Sequence, residues 1–311
     1  MRTNLSEGVL SESVMAVPPL ALAQDGTFDD AANKAIIQHL EAGGVSTILY
    51  GGNAMAQHWP MANYADWLDR LAALSADGTW LLPSIGPDAG KMKDQAKVLS
   101  SRSFPVALLL PVVAPMTQQG VADAIRQFHA EAGVQVLVYI KTDNYLAADI
   151  LEALFREGAV FGVKYAVPRT GQGRDSYLDQ IIAAVGVDRV ISGFGEPPAV
   201  RHMLDYALPG YTAGCVCIAP ALSTALLTAL RLKREGEAKR LLEPFADLEN
   251  LRNEISEIRV LHEAVALSGL ADTGPIQLPA HGLTDEQRAR VADAASKLMN
   301  VEQEFAKSRK L

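Results

Sequence analysis

Residues 134–165 read VQVLVYIKTDNYLAADILEALFREGAVFGVKY. The stretch opens on an apolar, β-branched run, Val134–Tyr139, and closes on another, Val160–Tyr165. Between them Asp149–Arg156 spaces its apolar residues for a helix, and Gly158 stops it. One strand, one helix and a second strand make a βαβ unit, and the unit recurs along the chain. Further strands are predicted at Val14–Val17, Thr47–Tyr50, Trp80–Ser84, Val106–Leu110, Val190–Ser192 and Ala213–Ile218, with starts 23 to 33 residues apart. Helices fall between them. Asp29-Asp30 opens one that runs to Ala42 before Gly43-Gly44, and Gly120–Ala132 forms another before Gly133. Eight such units in about 220 residues fit a closed (β/α)8 barrel better than an open sheet.

The pattern changes after the eighth strand. From Pro220 to Lys310 the chain reads as charged, amphipathic helices only. Leu248–Ser268 reads as one long helix, and Thr284-Asp285-Glu286-Gln287 has the form of a capping box that opens the last one. Gly274-Pro275-Ile276-Gln277-Leu278-Pro279 reads as a stiff link. The expected division is a barrel over 1–222 and a helical domain over 223–311.

Composition narrows the function. With 28 Lys+Arg against 36 Asp+Glu, the net charge of −8 supplies no general positive field for nucleic acid or a membrane surface. The first ten residues contain no apolar leader segment, and the longest apolar run, Val106–Met116, is interrupted by two prolines and too short to span a bilayer. Cys215 and Cys217 read as reduced core residues of a cytoplasmic protein, directed to one face of the eighth strand. The six histidines show no metal-ligand spacing, and no cofactor motif is present. A small molecule is the expected partner.

In such a barrel, chemistry sits at the C-terminal ends of the strands. Polar residues there are Gly51-Gly52-Asn53 after strand two, Tyr139 and Lys141 after strand five, Lys164 at the end of strand six, and Ser192-Gly193 after strand seven. Lys164 shares a face with Val160 and Gly162 by alternation. If that face looks inward, burial lowers the pKa of the amine and exposes a nucleophile able to form an imine with a ketone. The alternative is a strand-end lysine paired with a carboxylate such as Glu196. Tyr139 can relay a proton, or can simply pack at the barrel mouth.

These placements resemble the dihydrodipicolinate synthase / N-acetylneuraminate lyase family of Schiff-base aldolases. Pro18-Pro19-Leu20 with Asp25-Gly26, Ala42-Gly43-Gly44-Val45, Tyr139, Gly162-Val163-Lys164, Ser192-Gly193 and the Gly274–Pro279 link resemble the family's motifs in order. The resemblance implies a (β/α)8 barrel, an imine between Lys164 and pyruvate or another 2-keto acid, a proton relay through Tyr139, no metal or cofactor, and a homodimer or homotetramer. It places the keto acid's carboxylate on Gly51, Gly52 and Asn53, and adds Gly193 to the substrate-binding residues.

Departures from the family are equally specific. Its carboxylate loop carries two threonines that are missing here, where Asn53 offers an amide instead. Its strand-four tyrosine is replaced in Pro111-Val112-Val113. The synthase branch's arginine corresponds to Asn144, and Lys141 either supplies a cation to substrate or is solvated at the rim. The expectation is a class I lyase, aldolase or dehydratase, that is not a true dihydrodipicolinate synthase. Two other readings stand beside it: a barrel that binds a keto acid without turnover, and a metal-dependent aldolase.

Overall fold

The computed structural model describes residues 1–6, 8–112, 116–169 and 173–309. Val113, the last residue of the strand-four motif, lies outside them, as does Lys310, the last residue of the helical pattern read from the sequence.

Eight parallel strands close into a barrel. They are β1 (Met15–Ala16), β2 (Thr47–Leu49), β3 (Trp80–Leu82 and Ser84–Ile85), β4 (Val106–Leu109), β5 (Gln135–Ile140), β6 (Val160–Tyr165), β7 (Val190–Ser192) and β8 (Thr212–Ala213). β3 breaks at Pro83, which has no N–H to donate. Its first half pairs with β2 and its second with β4. β1 pairs with β8 at Met15–Thr212, and a parallel bridge from Ser192 to Tyr211 joins β7 to β8 and completes the ring. Strand order therefore follows chain order, as the recurring unit predicts.

The helices between strands pack outside. α1 (Asp30–Ala42) starts where Asp29 accepts a hydrogen bond from the Ala32 N–H, and buries Ile36, Ile37 and Leu40. α2 is Met61–Leu74 and α3 is Ala89–Leu99. α4 (Gln118–Ala132) begins two residues earlier than its apolar stripe suggests, because Thr117 caps it, and ends on left-handed Gly133. α5 (Ala148–Arg156), α6 (Ser176–Val185), α7 (Glu196–Asp205) and α8 (Pro220–Arg231) complete the ring.

Two expectations change. The eighth strand is shorter than Ala213–Ile218, because Cys215–Cys217 forms a 3-10 turn. Both thiols are buried and free there, in a turn rather than on one strand face. Leu248–Ser268 is not one helix. The extension consists of α9 (Glu235–Leu242), α10 (Ala246–Glu254), α11 (Glu257–Leu267) and α12 (Asp285–Ser308). Ser256 is extended, and its side chain accepts from the Arg259 N–H, so it caps a new helix and turns the chain. The Thr284 capping box forms as expected.

Phe245, Leu248, Val260, Ala264, Val291 and Leu298 build a second core that also takes in Leu222 from α8. Leu226, Leu227 and Leu230 of the same helix belong to the barrel's core. The position of the expected division, 222/223, thus lies inside a helix that serves both cores. Glu302 of α12 ties them together, its carboxylate accepting from the Ala221 N–H (2.8 Å) and the Leu222 N–H (3.0 Å) at the start of α8. No described helix is long and apolar enough to cross a membrane.

Removing both buried acceptors leaves two helix N–H groups unpaired. Glu302→Ala should lower the unfolding free energy by about 1–3 kcal/mol in urea titration, and Glu302→Gln by less, because one acceptor survives.

Candidate active site

The sheet register decides the centre of the site. β5 pairs with β6 so that Tyr139 stands opposite Lys164, with one irregularity at Val136/Leu137 upstream. Both side chains line one cavity at the C-terminal mouth of the barrel, of about 330 Å³. Neighbouring residues alternate outward: the Tyr165 hydroxyl donates to Asp175 (2.7 Å), and the Ser192 hydroxyl is 2.8 Å from His202 Nδ1.

Lys164 is 4% exposed. Its Nζ donates to the Gly193 carbonyl at 3.1 Å and lies 3.5 Å from the centroid of the Tyr139 ring. No carboxylate of the described residues lies within ion-pair distance of it. Glu196 is not its partner, since that side chain is fully buried elsewhere and accepts from the Ser223 hydroxyl at 3.0 Å. Burial pushes Lys164 well below the usual lysine range, the Lys141 ammonium lowers it further, and Glu257 opposes both. Tyr139 is pushed above the usual phenol range, chiefly by burial, with Glu257 adding to the effect. The amine meets the face of the Tyr139 ring and leaves the phenol hydroxyl without a hydrogen bond among the described residues.

Two glycines let the strands come this close. A Cβ at Gly162 would lie 2.4 Å from the Arg189 carbonyl oxygen. At Gly193 it would lie 2.8 Å from the Tyr165 oxygen and 3.0 Å from Lys164 Cγ. The glycines of Gly162-Val163-Lys164 and Ser192-Gly193 thus have a steric cause.

The remaining expected residues divide. Gly52, Asn53, Lys141 and Gly193 line the cavity with Lys164 and Tyr139. Gly51 starts the 3-10 turn Gly52–Ala54 but is not on the cavity wall. The Asn53 amide donates to the Val17 carbonyl at 2.8 Å, which commits one of its two N–H groups to the fold. Lys141 sits at the rim, 4.0 Å from Glu257, with 42% of its side chain exposed. Asn144 is not brought to the site. It takes a left-handed conformation (φ 56°) and lines a neighbouring concavity with Asp143, Arg169 and Tyr177.

Sequence reading missed one whole wall. Glu249, Arg252, Asn253, Glu257 and Ile258 line the cavity from the corner between α10 and α11. Arg252 Nη1 donates to Glu249 at 2.6 Å, and both side chains are more than nine-tenths buried. A sequence signal existed: Ser256-Glu257 is a helix start inside the apparent long helix, and a corner there brings these charges inward. Behind the wall, Glu196, Cys215 and Glu249 bring possible metal donors within 4.8 Å of one another. The Arg252 guanidinium on Glu249 already supplies the positive charge at that place. Burial and the nearby Glu249 push the Glu196 carboxyl upward, toward its neutral form.

No protein-family profile matches the chain. Over 296 residues, 91% of this chain and 95% of the relative, it is 26% identical to a protein of Chelativorans sp. (strain BNC1) named probable 5-dehydro-4-deoxyglucarate dehydratase. A Streptomyces coelicolor protein named probable 5-dehydro-4-deoxyglucarate dehydratase 1 is 23% identical over 84% of this chain and 85% of its own. Among solved structures, dihydrodipicolinate synthase from Bacillus clausii superposes with a TM-score of 0.81 at 18% identity, over 93% of this chain and 98% of the other. The wild-type Ruminococcus gnavus sialic acid aldolase does so with 0.80 at 13% identity, over 95% and 99%.

The chain shares the fold of dihydrodipicolinate synthase and sialic acid aldolase, and in sequence it is similar to proteins named probable 5-dehydro-4-deoxyglucarate dehydratases. The whole barrel and the helical extension take part in the match. The sequence relatives are named dehydratases, which agrees with the expectation of an enzyme of this family that is not a true dihydrodipicolinate synthase.

If the Lys141 ammonium contributes to the low pKa of Lys164, Lys141→Met should move it upward. Acetylation of Lys164, followed by mass spectrometry across pH, should show the midpoint rise in the variant. An unmoved midpoint removes Lys141 from the causes.

Proposed function

We propose that the protein is a class I, imine-forming lyase acting on pyruvate or another 2-keto acid, with dehydration as the reaction its sequence relatives favour. The observation that carries the reading is Lys164: an amine buried at the mouth of the barrel, without a carboxylate partner, beside a phenol in the same cavity. Burial favours the uncharged amine, which is the nucleophilic form.

In this reading Nζ attacks the ketone carbon and the carbonyl oxygen leaves as water. The protonated imine then withdraws electrons from the neighbouring carbon, which loses a proton. A hydroxyl on the next carbon then leaves as water in a dehydration; in an aldol cleavage the α-carbon keeps its proton, the hydroxyl on the next carbon gives up its proton to become a carbonyl as the carbon–carbon bond breaks, and the enamine left on Lys164 is reprotonated at carbon. Hydrolysis of the imine restores the amine. Tyr139 moves the protons, its hydroxyl being available. In the turn that Gly51 starts, Gly52 and Asn53 offer backbone N–H groups to the substrate carboxylate. The Gly193 carbonyl holds the resting amine. Asn144 has no part in the proposal.

The same reading treats 1–222 as the catalytic barrel and 223–311 as a helical domain that closes one side of the site. It assigns the protein to the cytoplasm, where the two buried thiols stay reduced. It also makes the molecule a homodimer or homotetramer, which light scattering on the purified protein would measure.

Borohydride added with pyruvate or a panel of 2-keto acids should fix a stable mass on the peptide carrying Lys164, and Lys164→Ala should abolish it. Failure of every keto acid with folded protein would overturn the proposal and favour a barrel that binds without chemistry. Tyr139→Phe should slow turnover by about 10²–10⁴-fold. A normal rate would take Tyr139 out of the relay.

A further inference from the structure

Glu196 is the first residue of α7, and its side chain is fully buried. Its Oε1 accepts from the Ser223 hydroxyl at 3.0 Å, while Oε2, equally buried, has no hydrogen-bond partner among the described residues. A buried polar atom left unpaired is costly. The contact with α8 explains Oε1 and leaves Oε2 without a cause.

Two further donors meet this carboxyl. Cys215 opens the turn after β8, and Glu249 comes from α10 of the helical extension. One ligand atom each of Glu196, Cys215 and Glu249 falls within 4.8 Å of the others, and all three residues are buried. Gly195 makes room for the approach: a Cβ there would stand 3.4 Å from both carboxylate oxygens of Glu249. An outer layer of hydrogen bonds orients the donors. Ser223 holds Glu196 through Oε1, and Arg252 Nη1 holds Glu249 through Oε1 at 2.6 Å. Converging donors held from behind in this way are the arrangement of a metal site.

Charge selects the ion. Ionised, the three donors carry three negative charges, and the Arg252 guanidinium balances one of them. The surplus of two matches a divalent cation. A thiolate beside two carboxylates suits a borderline-soft ion such as Zn²⁺ better than Mg²⁺ or Ca²⁺, which take oxygen donors.

We propose that Glu196, Cys215 and Glu249 form a structural Zn²⁺ site that ties the segments following β7 and β8 to the helical extension. Binding exchanges the ion for the thiol proton of Cys215 and the carboxyl proton of Glu196, and both protons pass to solvent. The site lies behind the wall that carries Arg252 and takes no part in imine formation, so this inference and the lyase reading stand or fall separately.

Chelator-treated protein is titrated with Co²⁺ and followed by absorption. One equivalent should be taken up, with a near-ultraviolet thiolate-to-cobalt charge-transfer band. Cys215→Ala should abolish the band, whereas Cys217→Ala, in the same buried turn, should keep it. Glu196→Gln preserves a hydrogen-bonding side chain but removes a ligand, and should weaken Co²⁺ binding at least about tenfold. Zn²⁺ should displace the cobalt and raise the thermal unfolding midpoint of the unaltered protein, but not that of Glu196→Gln. Circular dichroism checks that each variant folds; if Cys215→Ala does not, the affinity of folded Glu196→Gln decides. No uptake, uptake without the band, a band that persists in folded Cys215→Ala, or equal Zn²⁺ stabilisation of Glu196→Gln overturns the inference, leaving a proton shared between Glu196 and Glu249 as the account of Oε2.

Discussion

The site depends on keeping an amine in a place with little water and no paired negative charge. Lys164 meets both conditions. Its stem runs between the walls of a closed barrel, its nitrogen touches a carbonyl and an aromatic face, and the acidic groups nearby are engaged with other cations or hydrogen-bond donors. The aromatic face matters because it stabilises a cation weakly without neutralising it, whereas a carboxylate would hold the proton and remove the nucleophile. Strand pairing places Tyr139 there, since adjacent parallel strands bring register partners onto the same side of the sheet.

The helical extension is a working part of the cavity. Its corner at Ile255–Ser256 exists because Ser256 caps a new helix, and the turn directs Glu249, Arg252 and Glu257 toward the barrel mouth. The Glu302 carboxylate on the start of α8 holds the two cores together from the other side. Local capping and one buried acceptor therefore decide where the charged wall of the site stands.

The barrel is shared with the synthase and aldolase structures. The turn Gly51-Gly52-Asn53 after β2 carries no hydroxyl, and its Asn53 amide bonds the Val17 carbonyl. Asn144 lines another concavity. The cationic groups that do face the cavity are Lys141 and Arg252, and they come from the rim and the extension.

The eight-unit recurrence, the glycine before Lys164 and the alternation of strand six were legible along the chain, because strand and helix periodicity and close-approach glycines leave local traces. That determined the barrel, the inward amine and its tyrosine neighbour. Only the tertiary structure decided that Glu196 is not the amine's partner, that Asn53 is already bonded, that Asn144 turns away and that Arg252 enters the cavity. Each of those facts depends on which remote backbone a polar side chain meets after the barrel closes, and no periodicity in the chain records such a meeting.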